Sequence, residues 1–291
     1  MAAWWGKNDI LTRYIDLDDI KLIGSPWLTV GVPYNSPERF IKNVYAGACA
    51  SNLGLSSIDY TYKKHVKGQN LGEDSDDFDD KLLKVTSSLK HGVIDVLEYL
   101  MSIKKPDIPS LFAAGAAYVR LQNTFKGAVL CLRTGLYFET LAMERIILEQ
   151  LAWIYKVHNY DGDYFKILPN KCISSLNSLI PSVGITYGVL SNKLHIEPLS
   201  TLDYISTENN NLNVVLRDNK QTIKNAYLLL KIYDIFCIVG EFIYADLLKD
   251  YKYIKKDCNG EYVPYEKRIS LNLISKLYRV LESCEVDDTA T

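Results

Sequence analysis

An arginine and a glutamate on one face of a helical segment are the first residues in this 291-residue chain that could do chemistry. Arg145 and Glu149 are four residues apart, so on a helix their side chains can meet. A helix advances about 100° per residue, which places both in one sector. The other residues of that sector are apolar: Phe138, Ala142 and Ala152. Charge on an apolar face is costly unless it is paired and hydrogen-bonded.

Three interpretations of this pair stay open. The first is an ordinary ion pair at the surface, and the second is a buried structural network that Arg133 could join. The third is a site that binds a ligand or performs catalysis, because a paired arginine can also stabilise phosphate charge.

A second pattern lies about 40 residues later, in segment 185–198. If this segment is helical, Tyr187, Ser191 and His195 form one column, since each follows the last by four residues. Histidine is the side chain suited to proton transfer near neutral pH. A lone histidine on a helix also serves as a structural hydrogen-bonding residue, and Ser191 could be a member of such a network without any chemistry.

Other kinds of site are not indicated. The chain has no phosphate-binding glycine loop, no nucleophile elbow and no HExxH zinc motif. Its six cysteines are widely spread, without the paired spacing of a zinc site. We therefore expect no metal and no cofactor. Reduced, buried thiols are the expected state of cysteines in apolar helical patterns, which favours a cytoplasmic protein.

Charge and hydropathy exclude two further classes. The formal net charge of −2 argues against a general nucleic-acid coat protein, although a local RNA-binding patch stays open. The most apolar stretch, residues 226–248, contains Lys231, Asp234 and Glu241, which a bilayer-spanning helix would rarely tolerate. We expect no membrane partner.

The elements that must position these residues are mainly helices with apolar residues every three to four positions. The pattern predicts an irregular helical bundle with a small β-hairpin near the C-terminus, from Tyr251–Ile254 and Tyr262–Val263. Asn123 and Thr124 are expected to interrupt the helical pattern before the strongest helix. Residues 200–217 are expected to form a polar loop. The predicted helices are 37–53, 80–104, 109–122, 125–157, 185–196, 218–250 and 269–283.

Three parts of the chain are distinguished by composition. Residues 1–80 form an N-terminal segment that we expect to pack on the core rather than fold independently. Residues 81–284 form the helical bundle domain, and residues 285–291 form a flexible acidic tail.

Two short segments, which contain the Arg145–Glu149 pair and the Tyr187–His195 column, resemble parts of the HEPN-like helical proteins of bacterial abortive-infection and toxin–antitoxin systems. Segment 145–155 has their Arg-x-x-x-Glu core, and segment 187–198 is similar to their Leu-Ser-x-x-x-His-x-x-Pro stretch. The resemblance implies that active members are dimeric, metal-independent ribonucleases with an Arg-x-x-x-x-His motif. Here Leu190 stands five residues before His195, where that motif has arginine.

This departure favours a non-catalytic member of the family. The expected function is an interaction, sensor or regulatory subunit of a bacterial stress or phage-defence system, and its partner is another protein or a second copy. One alternative is a metal-independent ribonuclease with His195 as general acid and base and Arg145 as the phosphate-binding cation. Another alternative is a module that binds a small anionic ligand at a polar cluster of Arg145, Glu149, Ser191 and His195, to which Tyr187 and Arg133 also belong.

Overall fold

The computed structural model describes residues 20–25, 28–33, 36–69, 71, 77–194, 205–208, 211–214 and 219–287. The chain divides into two compact units, Met1–Asp80 and Lys81–Thr291. In the N-terminal unit, strands β1 (Ile20–Ser25) and β2 (Leu28–Pro33) form an antiparallel hairpin. Helix α1 (Glu38–Asn52) packs on this hairpin, and the short α2 (Ile58–Thr61) continues into one π-helical turn, Tyr62–Val66.

The N-terminal unit has an apolar core of its own. Both strands and α1 contribute to it, and Val66 and Leu71 close it. Its fully buried members from α1 include Tyr45, Ala46 and Cys49. The prediction that residues 1–80 pack on the helical bundle stays a prediction.

The C-terminal unit is a helical bundle. Its helices are α3 (Asp77–Met101), whose first four residues precede the division between the units, α4 (Pro109–Arg133), α5 (Tyr137–Val157), α6 (Ile173–Leu179), α7 (Val183–Leu194), α8 (Asn219–Phe242) and α9 (Ile269–Asp287). Two antiparallel strand pairs accompany them: β3 (Ile205–Glu208) with β4 (Asn211–Val214), and β5 (Ile254–Lys256) with β6 (Tyr262–Pro264). The mainly α fold and the hairpin near the C-terminus are therefore confirmed.

Helix α5 is the centre of the bundle because four other helices pack on it: α4, α6, α7 and α8. It runs parallel to α8, since Asn225 bonds to the backbone of Tyr137 at one end and Phe242 contacts Tyr155 at the other. Close packing between α4 and α8 depends on Gly240, where any Cβ would collide with the Tyr118 ring. The Tyr118 hydroxyl donates to the carbonyl of Phe236, 2.8 Å away.

The predicted break at Asn123 and Thr124 is wrong, because both residues lie inside α4. The chain turns instead at Thr134–Leu136, where Gly135 has a φ of 71°. The Leu136 amide closes this turn by donating to the carbonyl of Cys131. Packing on the bundle overrides the weak helix propensity of Asn and Thr, whereas a left-handed backbone conformation ends a helix and favours glycine.

Two further expectations differ from the structure. Strands β3 and β4 lie within the predicted loop 200–217. The sequence did not indicate them because their pairing uses backbone groups and needs no apolar periodicity. The helix predicted over 218–250 ends at Phe242 and is followed by the 3₁₀ turn Ala245–Leu247. Among the described residues, no helix has the length and apolar character needed to cross a bilayer.

A buried carboxylate holds the C-terminal hairpin against the bundle. Glu241, fully buried in α8, accepts the backbone N–H groups of Lys252, Tyr253 and Ile254 at 2.6 to 2.8 Å. The hydroxyl of Tyr99 in α3 donates to the same carboxylate at 3.0 Å. One side chain therefore joins α3, α8 and the start of β5.

We predict that Glu241→Gln destabilises the helical unit by roughly 3 kcal/mol, because an amide NH₂ would face backbone N–H donors that need an acceptor. Urea unfolding followed by the helical circular dichroism signal measures the loss. Glu266→Gln is the matched control, since that exposed carboxylate pairs with Lys255 at the surface and should leave stability unchanged. Equal effects of the two substitutions would contradict the anchoring role of Glu241.

Candidate functional site: the seam between α5 and α7

The seam between α5 and α7 brings together three of the six residues singled out from the sequence: Arg145, Glu149 and Tyr187. Helix α7 turns Val183 and Leu190 into the core, and both are fully buried. Tyr187 lies between them and reaches toward α5. Helix α5 presents Arg145 and Glu149 to this seam, beside the buried Ala152. Burial of Val183 and Leu190 thus fixes the position along α5 at which Tyr187 meets the two charged residues.

Arg145, Glu149 and Tyr187 form a closed triad of hydrogen bonds. The Arg145 Nε donates to Glu149 Oε1 at 3.0 Å, and its Nη2 donates to the Tyr187 hydroxyl at 3.3 Å. That hydroxyl donates to Glu149 Oε1 at 2.8 Å. The guanidinium also lies over the Tyr187 ring, with its Cζ 5.4 Å from the ring centre. Each group bonds to the other two, so the triad links helices whose residues are about 40 positions apart.

The triad is partly shielded from water. The side chains of Arg145 and Glu149 are 26% and 20% exposed, respectively. Burial acts to lower the pKa of Arg145, but hydrogen bonds from the guanidinium to Glu149 and Tyr187 outweigh it, and the pKa is raised. The arginine therefore keeps its charge, and a carboxylate one helical turn away compensates that charge.

A second contact joins the same two helices. Lys193 near the end of α7 donates to the hydroxyl of Tyr137 at 2.9 Å, and its ammonium lies 5.6 Å from the Tyr137 ring centre. Because Lys193 meets the start of α5 while Tyr187 meets its middle, the helices are antiparallel. This contact was not predicted, although Lys193 follows Tyr187 by six residues on the same predicted helix.

The structure places the other predicted site residues as follows. Ser191 is half-buried on α7, one turn after Tyr187, and the hydrogen bonds of the triad do not involve it. Arg133 is half-buried in the last turn of α4. His195 lies outside the described residues, so its predicted column with Tyr187 and Ser191 stays a prediction. Within the described ranges, no group of three or more His, Cys, Asp or Glu side chains is placed to hold a metal ion.

One histidine that the sequence analysis passed over does have defined contacts. The Nδ1 of His158 lies 2.6 Å from the carbonyl oxygen of Tyr155, and its ring packs edge-on against Phe242 at 5.6 Å. Burial lowers the pKa of His158, although the hydrogen bond to Tyr155 and the nearby charge of Asp246 oppose the shift. This arrangement closes the C-terminal end of α5 and involves no residue of the seam.

We predict that Tyr187→Phe lowers the free energy of unfolding by about 1 kcal/mol, because it removes the one hydroxyl that bonds to both charged partners. A double-mutant cycle with Arg145→Met, measured by urea unfolding, should give a coupling energy above the experimental error. Tyr160→Phe on the exposed loop after α5 is the matched control and should have no effect. Additive effects of Tyr187→Phe and Arg145→Met would show that the triad contributes nothing as a unit.

Comparison with known proteins adds no assignment: no protein-family model, curated protein or solved structure matches the chain.

Proposed function

We propose that this protein works by binding a polypeptide partner rather than by catalysis, as a regulatory subunit of a HEPN-like bacterial stress or phage-defence system. The partner that we propose is a second copy of the chain. The observation that carries the proposal is the closed triad of Arg145, Glu149 and Tyr187. The resemblance of segments 145–155 and 187–198 to HEPN-like proteins supports the choice of system.

The triad argues for a positioning role because its groups are used by one another. An arginine binds phosphate most strongly when its charge has no other carboxylate to compensate it. Arg145 donates to the Glu149 carboxylate through Nε and to the Tyr187 phenol through Nη2, so Glu149 would compete with RNA phosphate for the guanidinium. A small anionic ligand would meet the same competition. What the triad does without rearrangement is hold α7 in one orientation on α5.

That orientation presents an uncharged apolar surface on the opposite side of α7. Ile185 is 75% exposed and Val189 is 48% exposed, and they are one helical turn apart. Gly188 lies beside them, with open space where a Cβ would project. The exposed polar residue on this face is the neutral Asn192. Exposed apolar side chains on a rigid helix are typical of a protein-binding surface.

The lack of charge on this face of α7 favours a second copy as the partner. In a two-fold dimer a residue near the symmetry axis meets its own copy, so a charge at that place would face a like charge. Ile185, Val189 and Asn192 avoid that repulsion, and Gly188 allows two α7 helices to approach closely. The face is self-complementary in chemistry.

We predict that Ile185→Lys and Val189→Lys each raise the dissociation constant of the dimer at least about tenfold, since both bring a like charge to its own copy. Sedimentation equilibrium measures the mass, and the helical circular dichroism signal should be unchanged because both side chains are exposed. Phe112→Lys on α4, where Phe112 is 59% exposed, is the matched control and should leave the mass unchanged. A monomeric wild-type chain, or a dimer insensitive to both substitutions, would contradict the proposed partner.

The ribonuclease alternative has its own test. We predict that the purified chain does not cleave single-stranded RNA in the presence of a metal chelator, and that His195→Ala behaves as wild type. Denaturing gels of labelled RNA measure cleavage, and circular dichroism checks that the variant is folded. Cleavage that disappears in folded His195→Ala would overturn the non-catalytic function and establish His195 as a general acid or base.

A further inference from the structure

The core of the helical unit contains a carboxylic acid without a partner. Glu144, one residue before Arg145 on α5, is fully buried. Among the described residues, none donates a hydrogen bond to either of its carboxyl oxygens. Its neighbours along the same face of α5 are Leu141, Ile147 and Leu148, all buried. An ionised carboxylate in such surroundings would lose its hydration without any compensation.

The helices packed on α5 bring apolar groups to this level. Helix α8 runs parallel to α5, so the residue level with Glu144 is Ile232, seven positions after Asn225, and it is fully buried. On α4, Gly127 lies against Met143, the residue before Glu144. Burial is the cause that raises the pKa of Glu144 well above its ordinary value of 4.5.

The charged groups of those helices include Arg133, which lies in the last turn of α4, next to the turn that leads into α5. On α4, Lys126 lines a shallow crevice against α3. On α8, Lys231 is exposed and Asp234 is bound by Arg268. On α7, Lys193 bonds to Tyr137, and α6 has no charged residue.

Arg145 follows Glu144 directly on α5, but it projects about 100° away into the seam, where Glu149 holds it. The exposed Glu139 lies near the start of the same helix. No cation among these groups is placed to compensate a charge on Glu144.

We infer that Glu144 is held as a neutral acid in the folded core of α4, α5 and α8. Opening of this core then releases the Glu144 proton, so the helical unit becomes less stable as pH rises. The inference is independent of the partner proposed above. Glu144 differs from the other acids of the core, because Glu241 accepts hydrogen bonds from four donors and Asp234 accepts them from an arginine and a serine hydroxyl.

The direction of the effect follows from proton linkage. Above pH 4.5 the unfolded chain releases the Glu144 proton, whereas the folded chain keeps it until its raised pKa is reached. The unfolded state therefore binds fewer protons in this window, and stability falls as pH rises. Below pH 4.5 both states hold the proton, and Glu144 has no effect on the pH dependence.

The test compares wild type with Glu144→Gln, which keeps the shape of the side chain but cannot ionise. The folding equilibrium constant of wild type, divided by that of Glu144→Gln, should fall by about tenfold per pH unit between pH 5 and pH 7. Urea unfolding at each pH measures both constants. Glu144→Met is a second neutral variant, and its ratio to Glu144→Gln should not change with pH.

A direct measurement on the wild-type chain covers the case in which a variant does not fold. The carbon-13 signal of the labelled Glu144 carboxyl should stay at the position of a neutral acid at pH 7. A wild-type to Glu144→Gln ratio that is constant with pH would overturn the inference. A carboxyl signal that titrates near pH 4.5 would overturn it as well, because the acid would then be ionised in the folded state.

Discussion

Glu241 shows the constraint that governs the helical unit: a carboxylate in its interior must find donors to replace the water it has lost. Three backbone N–H groups and one phenol supply them, and they come from α3 and from the chain leading into β5. Since hydrogen bonds to a charged group contribute more than neutral ones, the position of the hairpin follows from this single side chain.

Asp234 meets the same constraint with side-chain donors. Arg268 binds it through two nitrogens, and Ser270 donates a further bond at 2.6 Å. Because Ser270 lies in the first turn of α9, the ion pair also fixes where α9 meets α8. Breaking such a pair leaves one charge uncompensated, which is why both partners are needed even where the net contribution of the pair is modest.

Sequence periodicity predicts the class of the fold and most helices, because burial of an apolar face repeats every three to four residues. It misplaces the turn between α4 and α5, since Gly135 acts through its backbone conformation and not through hydropathy. The hairpin of β1 and β2 was not predicted either. Its strands pair by backbone groups, which leave no periodic apolar pattern that would predict them.

The seam was partly predictable for a different reason. Spacing of four residues places Arg145 and Glu149 together on any helix, so that pair needs no tertiary information. Tyr187 joins them only because α7 packs antiparallel on α5, which spacing does not determine. The hydrogen-bond partners of Glu241 could not be predicted from the sequence, because its backbone N–H donors leave no pattern of residue types.

Glu144 could have been recognised from sequence, since it shares its helical face with Leu141, Ile147 and Leu148 and has no basic residue four positions away. The apolar residues Phe138, Ala142 and Ala152 beside Arg145 and Glu149 predicted instead that their sector is the buried one. In the structure their sector is the seam, and the sector of Glu144 is the core.

The rotation of α5 about its own axis determines both which residue faces the core and which residues face the seam. Adjacent residues on a helix project about 100° apart, so α5 cannot turn Glu144 toward the seam without drawing Arg145 away from Tyr187. The triad therefore opposes the rotation that would let the buried acid reach water. Burial of Leu141, Ile147 and Leu148 holds Glu144 in the core, and the triad adds to this setting while it orients the helix from which Ile185 and Val189 project.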